Sequence, residues 1–144
     1  MLDDTYFMNL ALNEARLAQE AGEIPIGCVI VCNEIVIAKA HNLTQTLNDV
    51  TAHAEIQAFS AAAEYLGAKY LKDCTLYVNV EPCPMCAAAS YWTQIGKIVY
   101  GTKDTKHAHI DKKILLHPKT VWVGGVLEAE SAKIMQDFFQ KKRM

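Results

Sequence analysis

Apolar and polar residues recur along this chain with two periods, and the switches between them divide it into elements. From Tyr6 to Ala21 the apolar residues Phe7, Leu10, Ala11, Leu17, Ala18 and Ala21 fall mostly on one stripe, which predicts an amphipathic helix. Asp3 or Asp4 stands where an N-cap belongs, and Gly22 where the helix must stop. Gly27 to Cys32 and Ile35 to Ala40 are β-rich runs on either side of Asn33-Glu34, a pattern that predicts a tight hairpin. A second helix is expected to start near His53 and run to about Leu66, with Thr51 as its N-cap and Gly67 as its stop. Cys74 to Val80 alternates as a strand does, Pro82 ends it, and Pro84 opens a helix that continues through Trp92. Lys97 to Gly101 and Val121 to Val123 read as further short strands. Leu127, Ile134, Met135, Phe138 and Phe139 then mark a terminal helix whose basic end suits its dipole. Two strands joined by the Cys86 helix predict a parallel, right-handed crossover. The order α-β-β-α-β-α-β-β-α therefore implies a mixed sheet with helices on both faces.

Length and composition leave that picture intact. At 144 residues and 51% hydrophobic, the chain fits one domain, 1–144, with a core that needs no disulfide support. It shows no repeat, linker or low-complexity segment. Met-Leu-Asp-Asp at the start has no basic or apolar region of the kind a signal peptide needs. The longest apolar run, around Ile24 to Cys32, is too short to cross a bilayer. Five cysteines, an odd number, argue against a disulfide framework and for a reducing, cytoplasmic compartment. Charge is uneven. Met1 to Gly96 carries 4 basic and 11 acidic residues, net −7, while Lys97 to Met144 carries 10 and 5, net +5. Such asymmetry suits an RNA-facing surface or a solvated lysine-rich face equally well.

The candidate chemistry lies in two short pieces, His53-Ala54-Glu55 and Pro82-Cys83-Pro84-Met85-Cys86. One imidazole and two thiolates, from His53, Cys83 and Cys86, suit Zn2+, one per chain. Three protein ligands leave one tetrahedral position open, as catalytic zinc sites do, and zinc brings the pKa of a bound water to about 7. Glu55 stands two residues past the histidine, close enough to shuttle a proton without being a ligand. Both pieces fall at helix starts, where free N–H groups and the dipole favour thiolates. Two other readings compete. A dithiol redox pair at Cys83 and Cys86 predicts a reversible disulfide and no metal. A non-catalytic zinc-stabilised binding module needs a fourth ligand, from Cys28, Cys32, Cys74 or His41. Cys28 and Cys32, four apart within strand character, read as core packing.

His-Ala-Glu followed by Pro-Cys-x-x-Cys resembles the cytidine deaminase-like superfamily of zinc nucleobase deaminases. Within it, the chain is most similar to the bacterial tRNA adenosine deaminases, which make inosine at the wobble position. The resemblance runs through Glu23-Ile24-Pro25-Ile26-Gly27, Ala40-His41-Asn42, Leu76-Tyr77-Val78, Gly101-Thr102-Lys103-Asp104 and Asp137-Phe138-Phe139. It implies a three-layer α/β/α fold with a mixed five-stranded sheet, and hydrolytic deamination with Glu55 as acid and base. It also implies a purine contact at Asn42, a base pocket lined by Pro25 and Ile26, and an RNA contact at Asp104. The partner would be a tRNA anticodon arm, met in part by the terminal helix with Lys141, Lys142 and Arg143, and the assembly a homodimer. Departures exist. Lys106-His107-Ala108-His109-Ile110 lacks the Gly- and Ala-rich stretch usual in those enzymes. Pro84 and Tyr91-Trp92 look more like the free guanine deaminases, which leaves a free purine or related heterocycle as the alternative substrate. His107, His109 and His117 read as loop histidines without partners, and Glu81 receives no role.

Overall fold

The computed structural model describes residues 2–143, and its elements follow from local chemistry. Helix α1, Asp4–Glu20, begins where Asp3 turns extended and its carboxylate accepts the Tyr6 N–H at 2.9 Å. Strands β1, Gly27–Cys32, and β2, Ile35–His41, form a hairpin. Asn33 and Glu34 at its tip take φ of 52° and 63°, the left-handed pair that matches strand twist. Helix α2 is Ala54–Leu66, stopped by Gly67 at φ 63°. Strand β3, Cys74–Val80, leads into helix α3, Pro84–Thr93, and that into β4, Lys97–Thr102. A 3-10 turn at Lys112–Leu115, strand β5 at Val121–Val123 and helix α4 at Glu128–Lys142 complete the chain.

The five strands lie in the order β2-β1-β3-β4-β5. The first three pair antiparallel, and β3-β4 and β4-β5 pair parallel. The mixed sheet and the parallel crossover through α3 are as the sequence predicts. Alternation in β1 is apolar on both sides. Cys28 and Ile30 join α2 and α3 residues such as Ala58, Phe59 and Ala87 in one core, while Val29 and Val31 join Phe7, Met8 and Ala11 of α1 in the other. A sheet covered on both faces needs no polar strand face, so β1 reads as a continuous apolar run. Helix α4 lies over β4 and β3 with α1, giving the three layers. Among the described residues, no helix is long and apolar enough to cross a membrane.

Two expectations change. Thr51 does not cap α2: its N–H and hydroxyl donate to Asp49 at 2.9 and 2.8 Å in the preceding turn. His53 is the N-cap residue instead, and its ring makes no capping bond. The turn at Lys112–Leu115 was not visible as an element. Gly27 marks a close approach of α1 to β1, because a Cβ there would collide with the helix backbone at Ala11 and Ala15.

Candidate active site

Both chemical motifs end up as helix caps. His53 (φ −71°, ψ 154°) and Cys83 (φ −66°, ψ 169°) are the extended residues just before α2 and α3. Pro84 is the first residue of α3, where its missing N–H costs nothing, and Cys86 lies in the same first turn. Gln57, one turn into α2, donates to the carbonyls of His41 and Ala52 at 2.9 and 3.1 Å, which ties the loop before His53 to β2. Nδ1 of His53 lies 3.6 Å from Sγ of Cys83 and 3.6 Å from Sγ of Cys86. All the ligand atoms of the three residues fall within 4.8 Å of one another. Zinc takes thiolate sulfur at about 2.3 Å and imidazole nitrogen at about 2.0–2.1 Å, and two such bonds at the tetrahedral angle span about 3.6 Å. The donor set and its spacing fit zinc. Among the described residues no fourth His, Cys, Asp or Glu joins this group. Cys28 and Cys74 are buried elsewhere, Cys32 faces Cys74 across the β1-β3 ladder, and His41 lies 3.5 Å from Glu14.

Electrostatics separate the two thiols. Cys83 accepts a hydrogen bond from the Cys86 thiol and another from His53, and its pKa is pushed down to about 4. Cys86, donor to that thiolate, buried, and facing Glu55, is pushed far up. The bond to Cys83 also raises His53. Glu55, in the first turn of α2, is 4% exposed, and burial pushes its carboxyl up to about 7.

His53, Glu55 and Cys83 line a cleft of about 1290 Å³. Ile24, Ile26 and Val80 supply apolar wall, Asn42 a carboxamide, and Met135 and Phe139 of α4, with Arg143 just past its end, a further side. Asn42 is 5% exposed; its N–H donates to the Ile26 carbonyl at 3.0 Å and its amide to Thr44 Oγ1 at 3.3 Å. Pro25 is buried but is not among the cleft-lining residues; Ile24 stands in its place beside Ile26. The carbonyl of Pro25 instead accepts from the Asn79 amide at 2.9 Å, while Asn79 Oδ1 accepts the Gly27 N–H at 2.8 Å. Asp104 lines the cleft with only 13% of its side chain exposed, and it is engaged with His107 and Lys112.

Three residues had escaped sequence reasoning. Glu23, fully buried, accepts from the N–H groups of Gln45 and Thr46 at 3.0 and 2.7 Å and from the Thr46 hydroxyl at 2.7 Å. Burial alone would raise Glu23, but these bonds hold it below its ordinary value. Glu81 accepts the Asp104 N–H at 3.0 Å, and Lys112 lies between Glu81 and Asp104. His107, expected to be without a partner, has Nδ1 2.8 Å from Asp104, and His117 Nδ1 accepts the Lys119 N–H at 3.2 Å. No periodicity or motif marks these contacts; those of Glu23 and Glu81 join distant segments, while those of His107 and His117 are local turns.

A three-layer sheet carrying a His-Cys-Cys group and a buried glutamate in one open cleft defines a hydrolytic deaminase. The chain belongs to the MafB19-like deaminase family, whose sequence profile matches residues 2–143. It is 44% identical to the tRNA-specific adenosine deaminase of Agrobacterium fabrum, over 100% of this chain and 99% of that protein. A solved structure from work on A-to-I editing by tRNA:A34 deaminases at the wobble position is also 44% identical; the match covers 90% of this chain and 99% of that one, with a TM-score of 0.83. The guanine deaminase of Bacillus subtilis is 40% identical over 75% of this chain and 69% of its own, with a TM-score of 0.69. The resemblance to the tRNA adenosine deaminases is thereby borne out.

Proposed function

We propose that this chain hydrolyses adenosine to inosine and ammonia at the wobble position of tRNA, using one zinc ion held by His53, Cys83 and Cys86. The observation that carries the chemistry is the equal 3.6 Å spacing of His53 Nδ1 from both sulfurs, with buried Glu55 in the adjoining turn. The similarity to full-length tRNA-specific adenosine deaminases supports the substrate. Zinc, when bound, would supply an acidified water at the floor of the cleft. Glu55 would take one proton of the attacking water at its carboxylate and give it to the purine ring nitrogen; a second, from the hydroxyl added at the amino-bearing carbon, would then pass through Glu55 to the amine, which leaves as ammonia. A carboxyl poised near neutrality suits both directions. Ile24 and Ile26 offer the base an apolar wall, and Asn42 offers its edge a donor and an acceptor. Exposed Lys103, Lys106 and Arg143 at the cleft suit the phosphates of an anticodon arm. Asp104 belongs to the same wall.

The same reading makes the protein a cytoplasmic homodimer. Its five free cysteines fit a reducing compartment. Exposed Tyr91 and Trp92 on α3, 43% and 75% accessible, supply an aromatic face for a second copy. Deamination of free guanine is the second reading, favoured by the 40% identity to a guanine deaminase. Ammonia release from an adenosine-34 anticodon stem-loop, set against guanine, adenine and cytosine, separates the two. Turnover confined to the stem-loop is expected, and turnover confined to free bases would transfer the assignment to the second reading.

A further inference from the structure

Lys103, Asp104, Thr105, Lys106 and His107 form one wall of the cleft, yet they belong to no helix or strand. Something else must hold them. Lys112, at the head of the 3-10 turn, has a side chain only 2% exposed, with Nζ 3.2 Å from Asp104 Oδ2 and 3.5 Å from Glu81 Oε2. Asp104 Oδ2 also lies 2.8 Å from His107 Nδ1, and the Asp104 N–H donates to Glu81 Oε1 at 3.0 Å. Glu81 is itself pinned beyond the end of β3, where its N–H donates to the Thr102 carbonyl at 2.8 Å. One carboxylate of this cluster thus belongs to the sheet and the other to the wall.

We propose that Lys112 is a positioning residue: its buried ammonium clasps Asp104 to Glu81 and so fixes the Lys103–His107 wall against which a polyanionic RNA substrate is read. A buried cation persists only when paired, and a buried carboxylate that loses its partner is left uncompensated. Without the ammonium, Glu81 and Asp104 would face each other as like charges, and the wall would be driven off the sheet. Lys103 and Lys106 flank Asp104 in sequence and are exposed, so their register with the RNA backbone follows the clasp. The Lys112 ammonium pairs with Glu81 and Asp104 and not with His53, Cys83 or Cys86, so binding of the RNA would depend on the clasp more than the deamination step does.

The kinetic arm rests on the RNA reading above; the exchange arm does not. Lys112→Met removes the charge and keeps most of the volume. For an anticodon stem-loop it is expected to raise KM about tenfold with kcat within about threefold of wild type and zinc content unchanged. By hydrogen exchange, the amides of residues 103–107 should exchange about tenfold faster while those of β1 do not. Lys112→Arg, which keeps the charge, should restore both to within about threefold. Unaltered exchange at 103–107 overturns the clasp, whatever the activity. Faster exchange with unchanged KM overturns its link to RNA. A fall in kcat together with loss of zinc overturns it too, since the cluster would then support the Cys83 loop. Should Lys112→Met not fold, wild-type exchange decides: residues 103–107 exchanging as fast as the exposed Lys69-Tyr70 segment would show a wall that nothing holds. Failure of the wild-type protein to deaminate any stem-loop would remove the RNA reading and leave the exchange result standing.

Discussion

On one side of the cleft His53 and Cys83 cap two helices, whose first turns also carry Glu55 and Cys86. On another side residues 103–107 have no regular structure and depend on ion pairs among Glu81, Asp104, His107 and Lys112. The first arrangement is local. Pro84 opens α3 and Gly67 stops α2, and the sheet beneath needs only to bring two helix starts together. The second is assembled from segments distant in sequence and from charges that stabilise the fold only while paired. On the function proposed above, the reaction chemistry would sit on the first side and recognition of the RNA on the second.

Substitutions on the rigid side carry the largest expected effects. Cys83→Ala or Cys86→Ala should abolish metal binding and reduce activity to background, and full zinc content by elemental analysis would refute the ligand assignment. Glu55→Ala should keep zinc yet lose about 10²–10⁴-fold in kcat, the usual worth of a positioned proton carrier. Substantial turnover in that variant would take Glu55 out of the mechanism.

A smaller effect is expected where a buried group holds a loop. Glu23→Gln should cost about 1–3 kcal/mol, because charge-assisted bonds to Gln45 and Thr46 become neutral ones. The folded-state pKa of Glu23 lies below its ordinary 4.5. Its contribution is therefore whole above that value, where the carboxylate is charged in both states. It is lost as the pH falls through the lower folded value. Denaturant titrations on the acid side should show wild type losing its advantage over Glu23→Gln in that window. An advantage undiminished well below pH 4.5 would argue against the carboxylate as the source. His109→Ala should be the mildest change, within about 0.5 kcal/mol and kinetically silent, since His109 is exposed. A large KM effect there would extend the recognition wall further than its clasp suggests.

The same division explains what could be read from residues alone. Pro-Cys-x-x-Cys after a β-rich run announces a strand, a turn and a helix start, so two ligands and their setting were visible together. His53 and Glu55 were visible too, although the cap before them was assigned to Thr51. Asp49 competes for the Thr51 hydroxyl at 2.8 Å, a local turn that propensity does not foresee. Pro25 was placed in the pocket with Ile26 by the family resemblance alone; its carbonyl accepts from the Asn79 amide, and Ile24 lines the cleft beside Ile26. Lys112 and Glu81 were illegible for a stronger reason. A lone lysine in a basic stretch looks solvated until the fold sets two carboxylates beside it. Glu23 and its partners at 45–46 meet only after the β1-β2 hairpin has formed between them.

The bare Cα of Gly27 ties a distant layer to substrate fit. Helix α1 supplies no cleft-lining residue, yet it rests on β1 so closely that one added methyl would push it outward. The Gly27 N–H shares Asn79 with the Pro25 carbonyl, so that push would reach Ile24 and Ile26 through two hydrogen bonds. The backbone behind the pocket wall is thus braced partly from the far side of the sheet, where α1 meets β1.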